Sequence, residues 1–133
     1  MAYLVGMVSH VLPFLIGVTL LVFVHELGHY LVARWAGVRV EIFSIGFGPE
    51  LFGWNDRHGT RWRVSAVPLG GYVMMFGDPD AISSLPADTV SSLSPEEQAL
   101  TLHHQKLHKR AAIIVAGPLA NFVYTFIVIA IVA

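Results

Sequence analysis

Residues 1–37 read MAYLVGMVSHVLPFLIGVTLLVFVHELGHYLVARWAG, and this stretch decides the fold class. No Asp, Glu, Lys or Arg occurs before Glu26, and residues 111–133, AAIIVAGPLANFVYTFIVIAIVA, hold none at all. Crossing a ~30 Å hydrocarbon core takes roughly 20 apolar residues at 1.5 Å rise each. Both stretches are long enough, which predicts two transmembrane helices, at about 8–36 and 111–133. A cleaved signal peptide fits the first one poorly. It has no positive n-region, and its apolar character runs on through Tyr30, Leu31, Val32 and Ala33.

The remaining composition agrees. The 133 residues are 55% hydrophobic and 13% charged, whereas soluble domains carry about 25% charged residues. The absence of cysteine excludes disulfides and thiolate metal sites, so a metal must sit on imidazole and carboxylate groups. Eight basic residues against nine acidic ones leave a net charge of −1 and no basic footprint for nucleic acid.

All the basic residues (Arg34, Arg39, Arg57, Arg61, Arg63, Lys106, Lys109, Arg110) lie between the two apolar runs or at their inner ends. The positive-inside rule then places the 37–110 connection in the cytoplasm and the N-terminus outside. The second run ends at Ala133 with no polar tail, as expected of a piece of a longer membrane protein.

The connection divides further. Val38–Ile42 and Arg61–Val67 alternate apolar and polar residues with period two, which predicts strands, and Asn55–Gly59 supplies turn chemistry between them. Tyr72–Phe76 is a candidate further strand, and Gly46, Gly48, Gly70 and Gly71 mark bends or close approaches. Short strands and aromatic content point to a sheet lying on or dipping into the membrane. Residues 77–93, rich in Asp, Pro and Ser, read as a mobile linker. Ser94-Pro95-Glu96-Glu97 is a capping box predicting an amphipathic interfacial helix over 94–110. The expected organisation is therefore a first span with the chemistry (1–37), a membrane-associated β region (38–76), a linker (77–93), the interfacial helix (94–110) and a second span (111–133). The fold class is an α-helical membrane protein: two transmembrane helices joined by a cytoplasmic β-hairpin or sheet region and an amphipathic helix.

His25-Glu26-Leu27-Gly28-His29 is an H-E-x-x-H sequence on the first helix. Imidazoles at i and i+4 share one helix face and can grip one zinc ion, and the intervening Glu can act as general base towards the attacking water. A carboxylate in a membrane span costs roughly 2.5 kcal/mol or more unless it has a partner or a function. His29 lies roughly 12 Å along the axis before Gly37, and His25 about 6 Å deeper, so the metal is expected below the cytoplasmic surface. Zinc enzymes use three protein ligands plus water, so two histidines leave the set short. The remaining carboxylates, Glu41, Glu50, Asp56, Asp78, Asp80, Asp88, Glu96 and Glu97, all fall in the connection.

His104 and His108 repeat the spacing, but with Gln105 where the base should be and with Lys106, Lys109 and Arg110 alongside, which marks a polar helix face. His10 and His58 are isolated. In the second span, Gly117-Pro118-Leu119-Ala120-Asn121-Phe122 interrupts an Ile/Val-rich helix. Its small and polar residues form either a packing notch or a face turned to the metal helix, with Asn121, Gly117 and Pro118 as candidate substrate-binding or active-site packing residues. A membrane metal-transport module would share the histidine pair but would need further intramembrane carboxylates or histidines. A non-catalytic scaffold would tolerate a broken motif, yet Glu26 is intact.

With His25–His29, Phe43-Ser44-Ile45-Gly46-Phe47-Gly48-Pro49, Pro68-Leu69-Gly70-Gly71-Tyr72-Val73 and Gly117–Phe122 in this order, the chain resembles the N-terminal part of a bacterial site-2 protease. That resemblance implies a zinc metalloendopeptidase of the inner membrane that performs regulated intramembrane proteolysis of single-span substrates such as anti-sigma factors. It implies Zn2+ on His25 and His29, Glu26 as the catalytic base, and a β region that holds substrate as an added strand. It also implies a third ligand, an Asp in an L-D-G motif on a later span supplied by the remaining C-terminal part. The 133 residues alone are then expected to be catalytically incomplete.

Overall fold

A computed structural model describes residues 1–78 and 92–133. The elements, in order, are α1 (Ala2–Ala36), β1 (Val40–Asn55), β2 (Arg61–Met75), a short α2 (Pro95–Gln98) and α3 (Leu107–Val132). Two helices, Tyr3–Ala36 within α1 and Leu107–Val132, are long and apolar enough to cross a membrane. None of the most apolar window of α1 is buried in the chain itself, unlike the core helix of a soluble protein.

Helix α1 stops at Gly37, whose φ of 88° is the left-handed conformation glycine adopts freely. The Gly37 N–H donates to the Arg34 carbonyl and that of Val38 to the Ala33 carbonyl, while Lys109 Nζ donates to the Ala36 carbonyl at 3.1 Å. The helix end is therefore satisfied partly from α3.

Strands β1 and β2 form one antiparallel pair around a tight turn. In that turn Asp56 Oδ1 accepts from the backbone N–H of His58 (2.8 Å) and Thr60 (3.0 Å). Both strands are strongly bent. Ile42–Ile45 lies opposite Arg61–Val64 on one side and opposite Gly71–Met74 on the other, so the folded ribbon is locally wider than two strands. The alternation at Val38–Ile42 therefore belongs to a much longer strand. Arg61–Val67 and Tyr72–Phe76 are not separate strands: β2 runs through both up to Met75, and Gly70 (φ 120°) takes the bend without ending the pairing.

The core clamps this sheet onto the last third of α1. Tyr30, Ala33, Ala36, Val38, Val40, Phe43, Met75 and Ile113 are buried together. Phe43 stacks on Trp62 with centroids 4.2 Å apart, and Tyr30 meets both rings edge-on at 5.8 and 5.1 Å. Such pairs contribute about 0.5–1.5 kcal/mol each beyond their burial.

The interfacial helix expected over 94–110 is corrected by the structure. Its capping box forms, with Ser94 Oγ accepting from Glu97 N at 3.2 Å and Glu97 Oε2 from Ser94 N at 2.9 Å, but the helix ends at Gln98. The Leu100 carbonyl accepts instead from Arg39 N at the α1–β1 junction, and buried Thr101 turns its hydroxyl to the Gln98 carbonyl. These bonds compete with helical ones, and β-branched Thr101 favours the alternative. Helix α3 then starts at Leu107, so His104 and His108 do not share a helix face. Most of the linker expected over 77–93, with Asp80 and Asp88, lies outside the described residues.

Candidate metal centre

His25, Glu26 and His29 project from the C-terminal third of α1 towards α3 and β2. The Nε2 atoms of His25 and His29 approach to 3.2 Å, with the rings edge-to-face at 4.8 Å between centroids. His29 Nδ1 lies 2.7 Å from the Ile113 carbonyl, an acceptor only, so Nδ1 carries the proton and Nε2 the lone pair. His25 Nδ1 lies 3.1 Å from Asn121 Nδ2.

Helix α3 meets these groups with one face, since Ile113, Gly117 and Asn121 recur every four residues. A Cβ on Gly117 would overlap His29 Nε2 and stand 2.8 Å from His25 Nε2, so only glycine leaves the space between the imidazoles open. One turn away, Gly28 permits the helix crossing itself. A Cβ there would overlap the Ala116 carbonyl oxygen and stand 2.8 Å from Ala120 Cβ. Close approach through small residues is how apolar helices pack without a hydrophobic driving force between them.

Glu26 faces β2. A Cβ on Gly71 would lie 3.6 Å from Glu26 Cγ and 3.2 Å from Val22 Cγ1, so the strand passes directly beside the carboxylate-bearing turn. Glu26, His29, Tyr72, Val73, Met75 and Ile113 line a cleft there. Beyond the helix, Asp56 Oδ2 accepts from Tyr30 Oη (2.8 Å) and Trp62 Nε1 (2.9 Å), tying the sheet's turn to the residue after His29. Burial alone would raise the Asp56 pKa. The hydrogen bonds from Trp62, Tyr30, Thr60 and His58 outweigh it and hold the carboxyl below its ordinary value.

The predicted pair His25/His29 is thus brought together with Glu26 alongside. Gly117 and Asn121 reach the same point from α3. Pro118 does not: it is exposed, a hundred degrees around the helix from Gly117. Among the described residues no third His, Cys, Asp or Glu joins the histidines. Glu41 pairs with Arg39 and Glu50 with Arg61, each at 2.8 Å. The Ile113 carbonyl had no signal in the sequence, because a backbone acceptor looks the same at every position.

The donor set fits zinc. Two nitrogens bound at 2.0–2.1 Å in tetrahedral geometry stand roughly 3.3 Å apart, close to the 3.2 Å found. The Gly117 gap supplies the space, and the carbonyl behind His29 is the kind of outer partner that orients metal-binding imidazoles.

A family model described as peptidase family M50 matches residues 13–133. A protein of Rhizobium meliloti (strain 1021), provisionally named a zinc metalloprotease, is 54% identical over 132 residues, covering 98% of this chain and 35% of its own length. A similarly named protein of Mesorhizobium japonicum is 57% identical over 117 residues, covering 87% of this chain and 32% of its own. Metalloprotease MmpA of Caulobacter vibrioides is 38% identical over 137 residues, covering 97% and 34%. The chain spans about a third of the length of these curated relatives.

Proposed function

The chain belongs to peptidase family M50, the site-2 protease family, and from that premise we propose that it carries the zinc-binding and general-base part of an intramembrane metalloendopeptidase. The observation that carries this reading is the convergence of His25 and His29 Nε2 to 3.2 Å beneath Gly117. Zinc held there supplies Lewis-acid chemistry for amide hydrolysis.

The chain's own residues do the rest. His29 is fixed as a lone-pair donor by the Ile113 carbonyl. Glu26 takes a proton from the attacking water onto its carboxylate and is placed to pass it to the leaving amine nitrogen. Among the described residues Gly71–Met74 is partnered only by β1, so its other edge offers backbone N–H and C=O groups to an extended substrate segment. Its position beside Glu26 favours a substrate added as a strand and presented to the histidines.

The finer reading follows the family resemblance. The substrates are single-span membrane proteins of the anti-sigma-factor type, cut in regulated intramembrane proteolysis within the bacterial inner membrane. The 37–110 connection is cytoplasmic and the N-terminus outside. An Asp from a later span completes the ligand set, so residues 1–133 alone bind zinc weakly and do not cleave. Two largely exposed apolar helices support the membrane setting, since their exposed Phe, Ile, Leu and Val side chains need an apolar surrounding.

The test is zinc content of the intact purified protein against a His25→Ala, His29→Ala double variant. Loss of zinc in the variant is expected. Equal content in both defeats the assignment.

A further inference from the structure

With both imidazoles in the neutral form, the three hydrogen bonds around the histidines have one consistent direction. The Ile113 carbonyl can only accept, so His29 Nδ1 donates to it at 2.7 Å and His29 Nε2 is left as an acceptor. His25 Nε2, 3.2 Å from that acceptor, then carries the proton and donates. With its proton on Nε2, His25 accepts at Nδ1, and Asn121 Nδ2 donates there at 3.1 Å. The chain of donors is then closed. One group is left over: Asn121 Oδ1 is buried and has no partner.

The spacing suits a metal but this tautomer of His25 does not, because His25 Nε2 must then present a lone pair. The proton has to leave Nε2 and one has to be taken up at Nδ1. The ring stays neutral, and water mediates the exchange. Nδ1–H now needs an acceptor where Asn121 offers a donor. An amide's oxygen and nitrogen are nearly isosteric, so turning the Asn121 side chain over puts Oδ1 in the place of Nδ2 without moving the helix. Oδ1 gains a hydrogen bond in the same movement, and Nδ2 takes the place Oδ1 leaves.

Resting on the metal reading above, we propose that Asn121 is a positioning residue whose amide turns over when the metal binds, accepting from His25 Nδ1–H and holding His25 in the metal-binding tautomer. Asn121 touches neither substrate nor metal in this role. It acts through His25, as the Ile113 carbonyl acts through His29. The difference is that the carbonyl is fixed, whereas the amide serves both tautomers.

The experiment uses the intact protein in detergent micelles with 15N-labelled histidine. Without metal His25 is expected as the Nε2–H tautomer, and with added zinc as the Nδ1–H tautomer, while His29 keeps Nδ1–H throughout. This measurement needs no variant, and an Nδ1–H tautomer of His25 already present without metal overturns the proposal. Zinc affinity by chelator competition gives the second readout. Asn121→Leu, similar in size but without hydrogen bonding, should weaken binding roughly 10–100-fold. Asn121→Asp, which only accepts, should restore it to within a few-fold. Wild-type affinity in Asn121→Leu, or an Asn121→Asp as weak as Asn121→Leu, overturns the proposal. The His25→Ala variant separates the two readings. If it keeps zinc, the metal assignment itself falls; if it loses zinc while Asn121→Leu does not, only the role of Asn121 falls.

Discussion

Gly117 lies so close to His29 that a side chain on it would occupy the space both imidazole Nε2 atoms face. A glycine in a helix interior is disfavoured by roughly 1 kcal/mol relative to alanine, so on propensity alone Gly117→Ala should stabilise α3. Here it should do the opposite. The added methyl overlaps His29, and relieving it requires α3 to move off α1 or the imidazoles to turn apart, at about 1–3 kcal/mol. We expect Gly117→Ala to lower zinc affinity at least tenfold with helical circular dichroism unchanged. Undiminished zinc binding would show that the two imidazoles do not share the space beneath α3.

Glu26→Gln removes the proton acceptor and keeps the side-chain shape. Zinc content should be preserved in the intact protein, while cleavage of a single-span substrate should fall by roughly 10²–10⁴-fold, the usual contribution of a general base. Near-normal turnover with zinc retained would place the base on another residue.

Asp56 links the sheet's turn to α1 through Tyr30 and Trp62. Its carboxyl is held below the ordinary value, so the stability it contributes is fully present above the unfolded pKa of about 3.9. That contribution is lost as pH falls below it towards the folded value. Asp56→Ala should cost about 1–3 kcal/mol at pH 7, because Trp62 Nε1 and two backbone N–H groups lose their acceptor. Its stability should also change less than wild type's between pH 5 and pH 3. Thermal unfolding in micelles at the three pH values reads this, and parallel pH profiles for the two proteins would remove Asp56 from the account.

How far the sequence could be read depended on the range of the forces involved. The placement of His25, Glu26 and His29 follows from helical periodicity alone, and the helix is secured by an uninterrupted apolar run. The small-residue face of α3 is legible in the sequence as a notch or a face turned to the metal helix, but not the fact that Gly117 sits against both imidazoles while Asn121 meets His25 alone; that depends on a helix crossing between residues 84 to 96 positions apart. Gly70 and Gly71 mark a bend, as the sequence suggests, but the pairing continues through it, so Arg61–Val67 and Tyr72–Met75 join in one strand. The helix expected over 94–110 failed for a similar reason. The capping box at Ser94 forms as the local sequence predicts, and the helix gives way a turn later where the Leu100 carbonyl accepts from the distant Arg39 N–H. Pro118 was grouped with its neighbours by sequence, and helical geometry turns it away.

Topology sets the direction of product release. All eight basic residues lie in or beside the 37–110 connection, the distribution on which the proposed cytoplasmic placement of that connection rests. On the proposed topology His29 would lie nearer the cytoplasmic surface than His25, and a fragment cut beside β2 would leave into the cell. The chain has no cysteine, so single ones report cleanly. Ser9 lies on the exposed first part of α1 and Arg57 on the exposed turn between β1 and β2. In intact cells a membrane-impermeant thiol reagent should label Ser9→Cys from outside and should reach Arg57→Cys only after the membrane is opened. The reverse labelling pattern would invert the chain, placing the β2 edge and Glu26 towards the outer face and sending the product out of the cell.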